Sequence, residues 1–399
     1  MSKGNENKKF IEIHMLQNYA PSNLNRDDTG SVKDCTFGGY PRARISSQAI
    51  KRSIRVSDFF LENLKEYLGE RTKFLPKEIK RYLTEEKKYS EEDATVWAGK
   101  FLEIGKSDKN KDKKNKDEDD KKKKKDNPKE DALLETAQLM FYGKEELKKI
   151  IDWIIAQENN IPDKIDPKII QSALKDLKAK PVDIALFGRM TTLEAFEDVT
   201  AACQVAHAIS VNQFNTEFDY FTAVDDLKGT YQDHQGSAFI QETEFTSACF
   251  YKYFAIDYDA FVKSIGGETE KELAKSAVQA FVQAISLANP SGKQNSFAAH
   301  NPPHFVGVEI KSKKIPVNLA NAFIQPIKPD SKKSLNENAA EALSKYAIKN
   351  REAFSLPVEH AAVFLLDGKD STGKEFAKDD QSRFAKLNDL SDWLINKLG

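Results

Sequence analysis

Between residues 106 and 130 the chain carries 12 Lys and eight Asp or Glu, and none of the aliphatic or aromatic residues that fill cores. Such a stretch cannot bury enough apolar surface to offset the entropy of ordering it. Whatever core this chain builds must come from the residues on either side, with the run left outside as a disordered surface loop. The flanks supply the material: 25 Phe and 12 Tyr among 399 residues, a length that allows two or three domains. The run holds a charge of +4, so the remainder of a chain whose net charge is −1 stands at −5. Any nucleic-acid surface must then be a local patch rather than a global basic character. No apolar stretch approaches the ~18 residues of a membrane span, and the first residues, Met1 to Lys9, lack the apolar core of a signal peptide. Cys35, Cys203 and Cys249 are too few and too dispersed for a disulfide framework or a zinc site. The expectation is a cytoplasmic protein without membrane contact, metal or cofactor.

Residues 10–16 (Phe-Ile-Glu-Ile-His-Met-Leu) begin by alternating apolar and polar and read as a strand. Turn formers crowd residues 21–34. Ser46-Ser47 stands where an N-cap belongs, ahead of a helix over 48–55. Residues 56–104 and 131–178 read as mostly helical. Beyond Pro181, residues 182–187 read as a compact strand ended by Gly188, and 199–209 as a small-residue helix. Residues 212–242 suit a long hairpin or an extended loop. A strand over 245–254, an amphipathic helix over 269–288, a strand over 305–310 and helices near 337–349 and 387–398 follow. The alternation without a repeat predicts an α+β fold, an antiparallel sheet with helices on one face.

Residues 41–55 hold Arg42, Arg44, Lys51, Arg52 and Arg55 and no acidic residue. At about 100° per residue, Gln48, Lys51, Arg52 and Arg55 share one side of the helix while Ile50 and Ile54 take the other. A stripe of this kind suits a merely solvated face, yet it lacks the acidic i,i+4 partners of ordinary surface helices. Guanidinium forks fit phosphate oxygens, and the neutral donors Ser46, Ser47 and Gln48 fit sugar or phosphate. Arg26 and Lys33 lie close by in sequence. Tyr220-Phe221-Thr222 in the presumed hairpin either packs on the body of the protein or forms an apolar wedge that unstacks bases. Met190, after Gly188-Arg189, either fills the core or presses on a base. His14 and His207 read as packing residues, and two prolines between His300 and His304 prevent a shared metal. Asp27-Asp28 and Asp225-Asp226 are read as turn caps rather than as Mg²⁺ ligands for phosphodiester cleavage. No phosphate-loop, nucleophile-elbow or dinucleotide motif is present.

Five separated stretches carry a resemblance: residues 22–28 (Ser-Asn-Leu-Asn-Arg-Asp-Asp), Phe37-Gly38-Gly39, residues 44–52 (Arg-Ile-Ser-Ser-Gln-Ala-Ile-Lys-Arg), 183–190 (Asp-Ile-Ala-Leu-Phe-Gly-Arg-Met) and 221–227 (Phe-Thr-Ala-Val-Asp-Asp-Leu). In this order they resemble the CasC family, the multicopy backbone subunit of the type I-E CRISPR Cascade complex, over residues 10–325. The resemblance implies a palm with a modified RRM-like (ferredoxin-like) sheet at 10–55 and 181–325, a helical finger domain at 56–180, a thumb at about 212–242 and an unassigned extension at 326–399. It implies a non-catalytic subunit that polymerises along the spacer of a CRISPR RNA beside copies of itself and other Cascade subunits. Its thumb would kink the guide at intervals, and the target DNA strand would pair to that guide. Arg26, Lys33, Arg42, Arg44, Ser46, Ser47, Gln48, Lys51, Arg52, Arg55 and Arg189 would contact the RNA. Met190 would press on a displaced nucleotide, and Tyr220, Phe221 and Thr222 would form the wedge. The alternative is a metal-dependent RNase of the type III backbone kind, cutting target RNA with Asp34.

Overall fold

The structure, a computed structural model, describes residues 8–102, 134–136, 138–157, 160–162, 165–191, 194–224 and 237–399. The charged run at 106–130 and the pair Asp225-Asp226 lie outside the described residues. The chain divides into two compact units, Met1–Asn63 with Cys203–Ala260 and Glu272–Gly399, and Leu64–Ala202 with Phe261–Lys271.

In chain order the strands are β1 (Phe10–Ser22), β2 (Asp34–Phe37), β3 (Tyr40–Ile45), β4 (Gly69–Thr72), β5 (Met140–Gly143), β6 (Cys203–Val205), β7 (Ala208–Ser210), β8 (Glu217–Val224), β9 (Ser237–Asp257), β10 (Phe305–Lys311), β11 (Val358–Leu365) and β12 (Arg383–Phe384). Ten of them form the sheet of the first unit, in the order β12-β11-β10-β1-β9-β7-β3-β2, with β6 and β8 also paired to β9. All pairings are antiparallel except β11 with β12. The 21-residue β9 is the spine. Its first part pairs with β8, Phe245 opposite Glu217, and the rest pairs with β1, from Thr246 opposite Ser22 to Asp257 opposite Phe10.

Helices cover both faces of this sheet, which corrects the one-sided expectation. β1 is apolar at both parities of the pleat: Ile11, Ile13 and Met15 face one way, Phe10 and Leu16 the other, and all are buried. On one side Phe10, Leu16, Tyr251 and Tyr253 pack with Ala339, Leu343 and Ala347 of the helix Leu335–Ala353. On the other, the ring of Phe254 meets that of Phe281 edge-on at 5.6 Å, from the helix Lys271–Leu287. The core on the side of the helix Leu335–Ala353 also contains charge. Lys311 pairs with Glu12 and lies 3.5 Å from Glu309, while Arg351 holds Glu309 at 2.8 Å. Burial pushes the Glu309 carboxyl up, but Arg351, His14 and Lys311 win and hold it below its ordinary value. Glu12, His14 and Glu309 converge closely enough to resemble metal ligands. Both carboxylates are already paired with buried cations, so the trio is an internal charge network.

Lys252 is buried, with no carboxylate bonded to it among the described residues. It donates to Gln17 Oε1 at 2.5 Å and Tyr19 Oη at 3.0 Å, and burial pushes its ammonium down from 10.5 to about 7. A basic group depressed in the folded state costs most below its folded value, and the cost fades as pH rises toward the unfolded one. The stability difference between wild type and Lys252→Met should therefore shift toward the wild type by about 1.4 kcal/mol per pH unit from pH 7 to 10. Urea titrations of both proteins across that range check it.

The second unit packs the helices Leu75–Glu85, Glu91–Gly99, Lys144–Ala156 and Pro167–Leu174 around Ile79, Trp97, Ile150 and Ile154, beside the β4–β5 ribbon. Two expectations fail here and at its border. Val182–Phe187 is a helix, not a strand. Asp183 Oδ1 accepts from the N–H of Gly69 at 2.8 Å. Gly188, at φ 81°, then closes the turn by donating its N–H to Ile184 O. Residues 199–209 are not a helix either: Cys203 and Ile209 enter the sheet opposite Ile256 and Tyr251, so pairing on β9 overrides alanine's helix preference. His207 thus sits between two short strands. Among the described residues no helix is long and apolar enough to cross a membrane.

Candidate nucleic-acid interface

The helix Ser47–Arg55 starts as its sequence dictates. Ser46 is extended (φ −68°, ψ 147°), and its Oγ accepts from Ala49 N–H at 3.2 Å. Ile50, Ser53 and Ile54 are buried, Gln48 and Arg52 are exposed, and Ser47, Lys51 and Arg55 are half-buried. No acidic residue lies in its first turn. Residues 23–33 form a loop against its start: Ser46 N–H donates to Asn25 Oδ1 at 2.8 Å, and Arg44 N–H donates to Lys33 O at 2.8 Å. Arg26, Lys33 and Arg52 make no ion pair or side-chain hydrogen bond among the described residues. Three cations left without carboxylates on one surface are what a polyanion-binding face requires.

Arg44 is half-buried, its Nε donating to Asp34 O at 3.0 Å and a terminal nitrogen lying 3.2 Å from His207 Nδ1. Burial, then Arg44 and Lys33, hold the His207 imidazole below its ordinary value, so this ring senses a positive field. A groove of about 620 Å³ runs beside the helix, lined by Arg26, Asp28, Ala49, Arg52, Val56 and Ser291 among others. Its far wall is fixed by a close approach: a Cβ on Gly292 would stand 2.4 Å from Leu24 O, so only glycine fits there.

Two expected RNA contacts are structural instead. Arg42 is fully buried, and its terminal nitrogens donate to Ser210 O, Val211 O, Phe323 O and Ile324 O at 2.6–3.1 Å. Those nitrogens are spent on carbonyls, and Nε, which has no partner among the described residues, is buried with them, so no donor of this side chain reaches the surface. Arg189, in the second unit, forks onto Glu146 at 2.8 and 2.9 Å and also donates to Phe141 O and Glu197 O. Met190, next to it, is 94% exposed and fills no core. Tyr220 and Phe221 stand exposed on β8, at 69% and 40%, and as neighbours on a strand they point to opposite faces. Thr222 pairs by its backbone with Ile240. The first unit thus gathers Arg26, Lys33, Arg44, Ser46, Ser47, Gln48, Lys51, Arg52 and Arg55 around one loop and helix. Asn25 and Asn23, which order that loop, lie within a quoted motif but carry no charge to single them out; Glu244 and the turn at 289–292 give no local signal.

The family of CT1975-like proteins matches residues 11–393, almost the whole chain. No curated protein matches. A solved chain from a "CRISPR RNA-guided surveillance complex, pre-nicking" superposes with a TM-score of 0.76 at 26% identity, over 98% of this chain and 100% of that one. A chain from a "CRISPR RNA-guided surveillance complex" does so with a TM-score of 0.59 at 22% identity and the same coverage, which speaks for the fold alone. The chain belongs to the family of CT1975-like proteins, and the likeness to the CasC family carried by its five motifs is borne out.

Proposed function

We propose that this protein is a CRISPR RNA-binding backbone subunit of a type I-E Cascade-type complex, acting in the cytoplasm without catalysis of its own. The observation that carries the reading is the cationic face of the Ser47–Arg55 helix and the loop beside it, where Arg26, Lys33 and Arg52 lack acidic partners among the described residues. A backbone subunit must hold any spacer, so it should grip phosphates and sugars and leave base edges free for pairing. Arg, Lys, Ser and Gln do this without a base code. The likeness to a chain of an RNA-guided surveillance complex supports the same partner class. In this reading copies polymerise along the guide, the sheet acts as an RRM-like palm, the helical second unit as fingers, and the β8–β9 hairpin as a thumb. Tyr220 and Phe221 would unstack a base at each kink, and the target DNA strand would pair to the exposed guide.

Protein from a host expressing a CRISPR array should co-purify with RNA as a large assembly. Lys51→Ala with Arg52→Ala should strip most of that RNA and lower the log–log salt slope by about 1.4, near 0.7 per lost phosphate on a single strand. Retention of both RNA and assembly would refute the assignment. Complementary RNA and Mg²⁺ added to the assembly should give no cleavage; products abolished by Asp34→Ala would establish the RNase alternative.

A further inference from the structure

The loop that carries Arg26 and Lys33 is held from two sides. Internally, Asp27 Oδ1 accepts from Thr29 N–H at 2.9 Å and Ser31 N–H at 3.0 Å, and Arg26 bridges to Val32. On one side Asn25 ties it to the start of the cationic helix. On the other it is tied to β9. The buried Asn23 donates its Nδ2 to Glu244 O at 2.8 Å, and Glu244 Oε2 accepts from the N–H of Val32 at 3.2 Å. Val32 is the residue before Lys33. Glu244 stands opposite Phe218 in the β8–β9 register, two residues before β9 exchanges β8 for β1 as its partner. The root of the aromatic hairpin and the phosphate-facing loop therefore share one side chain.

We propose that Glu244 is a positioning residue for the bound strand: an anionic side chain that the polyanion-binding face needs, because it sets the backbone from which Lys33 projects. The inference rests on the reading that this face holds RNA. Its value as a test is that simple electrostatics gives the opposite sign. A carboxylate beside a phosphate-binding loop repels the strand, so charge alone predicts tighter binding when it is removed. Loss of the acceptor instead leaves Val32 N–H without its partner and lets the loop turn.

The experiment titrates a fluorescein-labelled single-stranded RNA with the full-length protein by anisotropy, over a series of KCl concentrations, for wild type, Glu244→Ala and Glu244→Gln. Glu244→Ala should weaken binding about fivefold, the worth of one modest contact, and lower the salt slope by about 0.7. Glu244→Gln keeps an oxygen for Val32 N–H and should bind within about twofold of wild type. Unchanged or tighter binding by Glu244→Ala overturns the proposal, as does a loss without a change of slope, or a Gln variant that behaves like Ala. Lys51→Ala/Arg52→Ala serves as the control. If wild type shows no salt-dependent binding, or this control binds like wild type, the RNA face itself is refuted and the role of Glu244 falls with it.

Discussion

Glu146→Ala should destabilise the second unit by about 3–5 kcal/mol, because it strands a buried guanidinium. The Arg189 and Glu146 side chains are 2% and 6% exposed, and the pair is bidentate. Glu146 Oε2 also accepts from Gly143 N–H at 2.8 Å, so the same carboxylate anchors the turn into the helix Lys144–Ala156. Trp97 lies in that unit's core and the half-buried Trp153 packs against it, so tryptophan fluorescence in urea reports the loss. Arg189→Met with Glu146→Leu should recover most of it, since replacing both ions by apolar groups is far cheaper than orphaning one. A change below about 1 kcal/mol for Glu146→Ala would show that the pair is dispensable. A role for Arg189 on RNA would show instead as lost RNA at unchanged stability.

The second large effect is acid lability. His14 and His304 are buried, and burial is the main cause that pushes each imidazole from 6.5 down to about 4. Their folded values lie below the unfolded one, so between these limits the unfolded chain binds protons that the native state refuses. Stability is fully present above pH 6.5 and drains as pH falls toward 4, at about 1.4 kcal/mol per unit for each histidine, or about 3 kcal/mol each in total. His14 cannot readily accept a proton where it sits: its Nδ1 lies 2.9 Å from Tyr251 Oη, and its ring is stacked on Tyr251 and meets Tyr253 and Phe376 at a tilt. Urea midpoints measured from pH 7 to 4.5 should fall steeply, and His304→Asn should remove about half of that slope. A flat profile would mean that neither ring is buried neutral.

Local signals were legible where they were local. The serine cap, the stripe behind it and the first strand follow from spacing, and the structure places Ser46 and Ile54 as those rules require. For residues 212–242 the sequence left a long hairpin and an extended loop both open, and the pairing of β8 with the start of β9 decides for the hairpin. What local sequence could not show is which arginines remain outside. Arg42 and Arg44 share one face of β3, yet only Arg42 lies under a turn 281 residues away, at Phe323. Residues 182–187 misled for another reason: six residues with five apolar ones satisfy a strand or a helix equally well. The outcome turned on Pro181 at the N-cap and on Gly188. Partnership across the sheet likewise made two strands of an alanine-rich stretch.

At a rise of about 3.3 Å per residue, the 21 residues of β9 span roughly 70 Å as one unbroken element. Its second half is clamped on both sides, by β1 and by β6 and β7, while its first half has β8 beside it. It is a single beam that leaves its partner β8 and takes up β1 within two consecutive residues, Phe245 and Thr246. A single inserted residue within the anchored half would turn every subsequent side chain to the wrong face and unseat the whole beam.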